Sequence, residues 1–251
     1  MLGIYLSGTG NTKHCVEKLT GLLDANAKAI PLESENADEE IKKNSEIILG
    51  YPVMFSNIPF MVRDYILQNK DIWKGKKVLC VATMGLFSGD GAGCAARVLK
   101  KCGAEILGGL HIKMPDSVCD NNLLKKTPEQ NREIIAEADK LIEKTAENIK
   151  LGKYPRSGLS VFHEFAGLFG QRLWYHGKTA GYSDKLKVAE NCVGCGVCES
   201  VCPMKNISVK DGKAVSGNKC TMCYRCISLC PQKALTLIGK EVVEQCRFEK
   251  Y

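Results

Sequence analysis

Eight of the chain's fourteen cysteines fall into two copies of one signature. Cys192, Cys195, Cys198 and Cys202 are followed by Pro203, and Cys220, Cys223, Cys226 and Cys230 by Pro231. Each copy reads C-x-x-C-x-x-C-x-x-x-C-P. A [4Fe–4S] cube needs four thiolates converging on one small body, and two-residue gaps let the chain wrap three of its corners. Gly194 and Gly196 ease the tight turns of the first copy. The fourth cysteine of such a run follows a longer gap and ligates the other cluster. Cys192, Cys195, Cys198 and Cys230 are therefore assigned to one cube, and Cys220, Cys223, Cys226 and Cys202 to the second. The closing proline fixes φ, lacks an N–H and turns the chain away. Val193, Val197, Val201, Met222, Ile227 and Leu229 would keep water off the cubes. Zinc knuckles have no use for a third cysteine at the same step. A disulfide framework suits small secreted domains, and this chain opens without the basic start of an export signal.

Over residues 186–238 the chain resembles the bacterial two-cluster ferredoxins, which implies a small α+β domain carrying both clusters. Two clusters make this part an electron conduit, so the rest of the chain must supply or receive electrons.

The elements ahead of it alternate in type. Apolar strand-like runs at 2–6, 27–31, 46–51, 77–83 and 104–113 are separated by helix-like stretches at 12–24, 59–69, 90–102 and 128–150. Such alternation implies an α/β fold, a parallel sheet wrapped by helices on both faces. The last helix is well marked. Thr127 at the N-cap, Pro128 at N1 and Gln130 at N3 make a capping box, Gly152 ends it, and Ile135, Ala138, Ile142 and Ile149 supply its buried stripe.

Ligands of open α/β sheets bind off the carboxyl ends of the strands. After the first strand comes Ser7-Gly8-Thr9-Gly10-Asn11-Thr12, then a helix. Small hydroxyl residues and glycines there let backbone N–H groups surround a phosphate at the helix N-terminus. No G-K-[S/T] follows, so this is not a Walker loop, and it is not G-x-G-x-x-G, which disfavours a dinucleotide. It resembles the phosphate loop of flavodoxins, which holds the monophosphate of FMN. Two further loops match that family in order: Pro52, Val53, Met54, Phe55 and Asn57 after the third strand, and Thr83, Met84, Gly85, Phe87, Gly89 and Asp90 after the fourth. The resemblance implies that they clasp the isoalloxazine from two sides, with Met54, Phe55 and Phe87 against the ring. It also implies a flavodoxin-like doubly wound sheet of five parallel strands in the order 2-1-3-4-5. Simple flavodoxins usually bracket the ring with Trp or Tyr, and this chain departs from them there.

Taken whole, the chain resembles the flavodoxin–ferredoxin fusion proteins found mainly in anaerobes. The expected organisation is an FMN-binding domain at 1–152, an aromatic-rich helical linker at 153–185, a two-cluster domain at 186–238 and a tail at 239–251. Residues 151–185 carry seven of the seventeen aromatic residues, too many for a solvated tether, and Leu159, Phe162, Ala166, Phe169 and Leu173 recur at helical spacing. A short helix between the domains is the plain reading; cover of the flavin edge by Phe169, Trp174 or Tyr175 is the sharper one.

The formal charge of +7 hints at an anionic partner. Two oxidised clusters with their thiolates lower it to about +3 and FMN brings it near neutral. The basic residues are scattered, without a helix-turn-helix or finger pattern, so nucleic acid is not expected. No run of 18 apolar residues exists, and with the free thiols this points to a cytoplasmic, reducing setting. Cys15, Cys80, Cys94, Cys102, Cys119 and Cys246 read as small buried apolar residues. Cys246 is a candidate redox-sensitive thiol, although no neighbour in sequence would lower its pKa. His14 reads as a helix-surface residue, and His111, His163 and His176 have no partner spacing for metal or triad chemistry.

The leading functional expectation is electron exchange between FMN and the two clusters, with unidentified redox proteins as partners. The rival is an FMN-dependent reductase of an organic substrate, quinone or dioxygen, with the clusters as electron inlet.

Overall fold

The computed structural model describes residues 1–160 and 185–251. Five strands, β1 (Leu2–Tyr5), β2 (Lys28–Pro31), β3 (Glu46–Pro52), β4 (Lys77–Met84) and β5 (Glu105–Lys113), form one sheet in the order β2-β1-β3-β4-β5. Every pairing is parallel. The flavodoxin-like order expected from the resemblance is the order found. The apolar runs are continuous because both faces are covered, and the pleat sorts them by parity. Leu2, Ile4, Ile47, Leu49, Val78 and Cys80 face one core, packed under α3 (Phe60–Gln68) and α4 (Gly91–Lys101). Tyr5, Ile48, Leu79 and Val81 face the other, under α1 (Asn11–Leu23) and α5 (Pro128–Lys150).

The capping box of α5 forms as its sequence requires, with Gln130 N donating to Thr127 Oγ1 and Thr127 N to Gln130 Oε1. Its buried stripe is rotated by one residue. Ile134 is buried and Ile135 only half-buried, so Ile134, Ala138, Ile142 and Ile149 make the apolar face. The sequence pattern does not announce a further short helix, α2 (Ala37–Lys43); it buries only Ala37 and Ile41, too few positions to show a period. Of the aromatic-rich linker, residues 161–184 and the helix expected there lie outside the described residues. Ahead of them, the chain returns along β5, where Gly109 N donates to Pro155 O at 2.9 Å and Leu159 packs on the α3–α4 core.

The second unit is small. Strand β6 (Lys187–Val188) pairs antiparallel with β9 (Leu235–Thr236), and β7 (Ile207–Lys210) with β8 (Lys213–Ser216). Two five-residue helices, α6 (Val197–Val201) and α7 (Arg225–Leu229), each begin within a cysteine run. The tail does not hang free. Val243 N and Glu244 N donate to Cys119 O, and Phe248 N donates to Thr9 O at 2.8 Å. Phe248 also stacks on His14 at 4.2 Å, while His14 Nε2 meets Asp139 Oδ1 at 2.7 Å. Residues 239–251 are thus a strap joining both units. No described helix is long and apolar enough to cross a membrane.

Candidate functional site

The carboxyl ends of β1, β3, β4 and β5 surround a cavity of about 300 Å³, within the range of small-molecule sites. Side-chain bonds tie the strand ends together. Thr12 Oγ1 and Thr83 Oγ1 are 2.8 Å apart, Thr9 Oγ1 and Ser117 Oγ 2.9 Å, and Asn11 Nδ2 donates to Pro115 O at 2.8 Å. Of the residues picked out in the sequence, Ser7, Gly8, Thr9, Asn11, Thr12, Pro52, Val53, Met54, Phe55, Thr83, Met84, Gly85 and Phe87 line this cavity. Four do not. Gly10 is the N-cap of α1 at φ 97° and lies beneath Phe248. Asn57 exchanges backbone bonds with Met54, Gly89 only turns the chain at φ 55°, and Asp90 is fully buried in an ion pair with Arg97 at 2.5 Å.

Between Met54 and Asn57, Phe55 and Ser56 both take positive φ, 49° and 56°. This is the backbone of a two-residue hairpin turn, normally Asn-Gly or Gly-Gly. A bulky aromatic residue held there stores strain, and such strain clusters at ligand clamps. Sequence reading missed the fourth of these strand-end walls, Met114, Pro115, Asp116, Ser117 and Val118. The strand-end rule could have found it, since β5 ends at Lys113, but no glycine-rich signature marks it.

The cysteine runs form two separate hollows. Cys192, Cys195, Cys198 and Cys230 line one; Cys202, Cys220, Cys223 and Cys226 line the other. In each set, three cysteines come from one run and the fourth crosses over. Backbone N–H groups meet sulfur in both: Ala214 N to Cys192 Sγ at 3.4 Å, Ala234 N to Cys230 Sγ at 3.3 Å, Asn206 N to Cys202 Sγ at 3.3 Å and Met222 N to Cys220 Sγ at 3.4 Å. Burial pushes the Cys223 thiol up to about 11 and raises Cys220 and Cys226 as well. The Ala214 and Gly194 N–H groups hold Cys192 below the usual thiol range. A metal entering the deeper hollow must therefore displace protons.

A family model described as a flavodoxin domain matches residues 2–105, and one described as a 4Fe-4S dicluster domain matches residues 191–234. The chain joins a flavodoxin domain to a 4Fe-4S dicluster domain. Its fold is similar to that of the two-electron reduced flavodoxin of Megasphaera elsdenii, with 22% identity, a TM-score of 0.42, and coverage of 59% of this chain and 99% of that one. It is similar also to a flavodoxin from the domain Archaea, with 16% identity, a TM-score of 0.42, and coverage of 59% and 97%. The rubredoxin oxygen:oxidoreductase of Desulfovibrio gigas matches at 16% identity and TM-score 0.42, covering 60% of this chain and 36% of that one. No curated protein matches.

A flavodoxin domain implies FMN, and a dicluster domain implies two [4Fe–4S] clusters. The cavity fits the flavin phosphate. Ser7 Oγ is buried with no partner among the described residues. No side chain caps α1, leaving its first N–H groups orphaned, as anion sites require. Among the described lining residues none is basic, so neutral donors would hold the phosphate.

The dicluster domain forms part of this cavity. Met222, Cys223, Tyr224 and Ile238 line it beside the flavodoxin loops. Gly8 makes this approach possible, because a Cβ there would lie 1.7 Å from Cys223 O. Arg225 Nη2 donates to Ser7 O at 2.8 Å and to Glu33 Oε1 at 2.6 Å. Buried Asp120 accepts Tyr224 OH at 3.0 Å on Oδ1, and the N–H groups of Leu237, Ile238 and Gly239 at 2.6, 3.0 and 3.1 Å on Oδ2. The two cysteine runs differ at equivalent places. Gly194 and Gly196 take positive φ in the first, Met222 and Tyr224 in the second, at 56° and 63°. That conformation costs a non-glycine residue about 1–2 kcal/mol. Such residues occur in the run whose side chains reach the cavity at the strand ends.

Proposed function

We propose that the chain carries electrons between FMN in the flavodoxin cavity and two [4Fe–4S] clusters, the cluster of Cys202, Cys220, Cys223 and Cys226 lying next to the flavin. FMN supplies the junction between two-electron and one-electron chemistry, and clusters pass single electrons. The observation that carries this reading is Cys223, which lines both the deeper thiol hollow and the flavin cavity. Joining the domains in one chain raises their effective concentration, and the dock through Gly8, Arg225 and Asp120 adds a fixed geometry. Ser7 and the N–H groups opening α1 would hold the phosphate, while Met54, Phe55 and Met222 would exclude water from the cavity wall. N–H groups aimed at sulfur tune the cluster potentials.

The other hollow faces outward. Cys195 is exposed and Val193 is 61% exposed beside it, so a redox partner protein meets the chain there.

Protein purified without oxygen should contain about eight irons and one FMN. Photoreducing the flavin and following both chromophores should show the flavin re-oxidising as cluster absorbance falls. A flavin that stays reduced beside clusters that stay oxidised, with a favourable potential difference established by titration, would overturn the reading.

A further inference from the structure

We propose that Cys119 and Cys246, with Lys125 beside them, form a redox-active dithiol that hydrogen peroxide converts to a disulfide, tying the C-terminal strap to the loop after β5. Neither cysteine belongs to the two cluster sets or lines the cavity at the strand ends. Cys119 is 0% exposed and Cys246 2%. Both side chains sit in one buried cluster, with Cys119 Sγ donating to Ser117 O and Cys246 Sγ to Glu244 O, each at 3.7 Å. The backbone holds the two segments together at this point, with Val243 N and Glu244 N donating to Cys119 O at 2.9 and 3.0 Å. The sulfurs can therefore join without the chain being brought in from a distance.

Lys125 supplies the third member. Its Nζ lies 3.0 Å from Cys246 Sγ, and it also donates to Asp116 Oδ2 at 2.8 Å and Val118 O at 2.6 Å. These anchors fix an ammonium where it stabilises a thiolate on Cys246. The neighbouring Cys119 thiol and then Lys125 outweigh burial and hold Cys246 below the usual thiol range, whereas the neighbouring Cys246 and burial hold Cys119 above it. A cysteine held towards its thiolate beside one held as the thiol is the attacking and resolving pair of disulfide chemistry.

The reaction balances with one peroxide. The Cys246 thiolate attacks a peroxide oxygen; the O–O bond breaks, an S–O bond forms, and the leaving hydroxide takes a proton to become water. The Cys119 sulfur then attacks the sulfenic sulfur; an S–S bond forms, the S–O bond breaks, and a second water leaves with the Cys119 proton. The two sulfurs lose two electrons and the peroxide oxygens gain them. The bond would pin a strap that already reaches both domains, through Gln245 Nε2 to Cys230 O at 2.6 Å and Phe248 N to Thr9 O at 2.8 Å.

The test gives cluster-loaded, anaerobic protein one equivalent of hydrogen peroxide, blocks remaining thiols with N-ethylmaleimide in denaturant, and digests without reductant. A peptide linking Cys119 to Cys246, abolished by dithiothreitol, is expected as the main thiol product. Cys119→Ser should instead leave a sulfenic acid on Cys246 that dimedone traps. Lys125→Met should slow bond formation by about tenfold through loss of thiolate. Recovery of both cysteines as maleimide adducts, or linkage of either to a cluster cysteine, would overturn the proposal. An unchanged rate in the Lys125 variant would remove Lys125 from it.

Discussion

Replacing Gly8 by alanine adds one methyl group at the point where the loop after β1 meets the dicluster domain. The new Cβ would lie 1.7 Å from Cys223 O, 2.7 Å from its carbonyl carbon and 3.3 Å from its Cβ. Contacts under 3.0 Å are essentially unknown for a Cβ, so the gap must widen by at least about 1.3 Å. Neither side is a flexible side-chain tip; one is the loop after β1, the other the backbone of a candidate cluster ligand. Overpacking of this kind costs about 1–3 kcal/mol, and here it acts on the distance between the two redox sites. Gly21→Ala is the internal control. Gly21 lies in α1, and a methyl group added there would meet nothing within 4 Å, so that change should stabilise by about 0.5–1 kcal/mol through helix propensity. Urea denaturation should therefore move the two variants in opposite directions, and photoreduction should show slower flavin–cluster exchange in Gly8→Ala alone. A Gly8→Ala protein with unchanged midpoint and unchanged exchange rate would refute the reasoning, because it would mean that the domains do not meet at this loop.

Ser7→Ala removes the buried hydroxyl that has no partner among the described residues, and should weaken FMN binding by about tenfold in a fluorescence titration while leaving the unfolding midpoint nearly unmoved. Asp120→Asn puts an NH₂ where a buried carboxylate accepts three backbone N–H groups and a tyrosine hydroxyl. It should cost about 1–3 kcal/mol and expose residues 237–239 to faster hydrogen exchange. Met222→Gly should relieve about 1–2 kcal/mol of left-handed strain yet speed FMN release, because the side chain walls the cavity; stopped-flow release kinetics would show it. Asp139→Asn tests the seam between α1 and α5. Burial alone would raise that carboxyl, but hydrogen bonds from His14 and Lys18 outweigh it and hold it below its ordinary range. With the folded value below the unfolded one, the contribution is complete above about pH 4 and is lost as pH falls through the lower folded value. The variant should thus be less stable by about 0.5–1 kcal/mol at neutral pH, and the difference should close in strong acid.

What the amino-acid order determined by itself is local and periodic. Cys192 to Pro203 and Cys220 to Pro231 declare cluster runs because the ligand spacing is a property of one short stretch of chain. Ser7 to Thr12 declares a candidate phosphate loop for the same reason, and the five apolar runs declare a buried parallel sheet because both of its faces must be covered. The capping box of α5 was legible residue by residue, while its stripe slipped from Ile134 to Ile135 because adjacent isoleucines leave the helical phase ambiguous. Only the tertiary structure decided how the domains meet. Gly8 under Cys223, Arg225 against Glu33, Asp120 beneath residues 237–239 and Cys119 against the backbone of Val243 and Glu244 all join positions far apart in the chain. Nothing in the spacing of either partner announces the other. Such pairs exist because two surfaces settle where buried polar groups find partners and backbones can close without a clash, and that choice belongs to the folded whole.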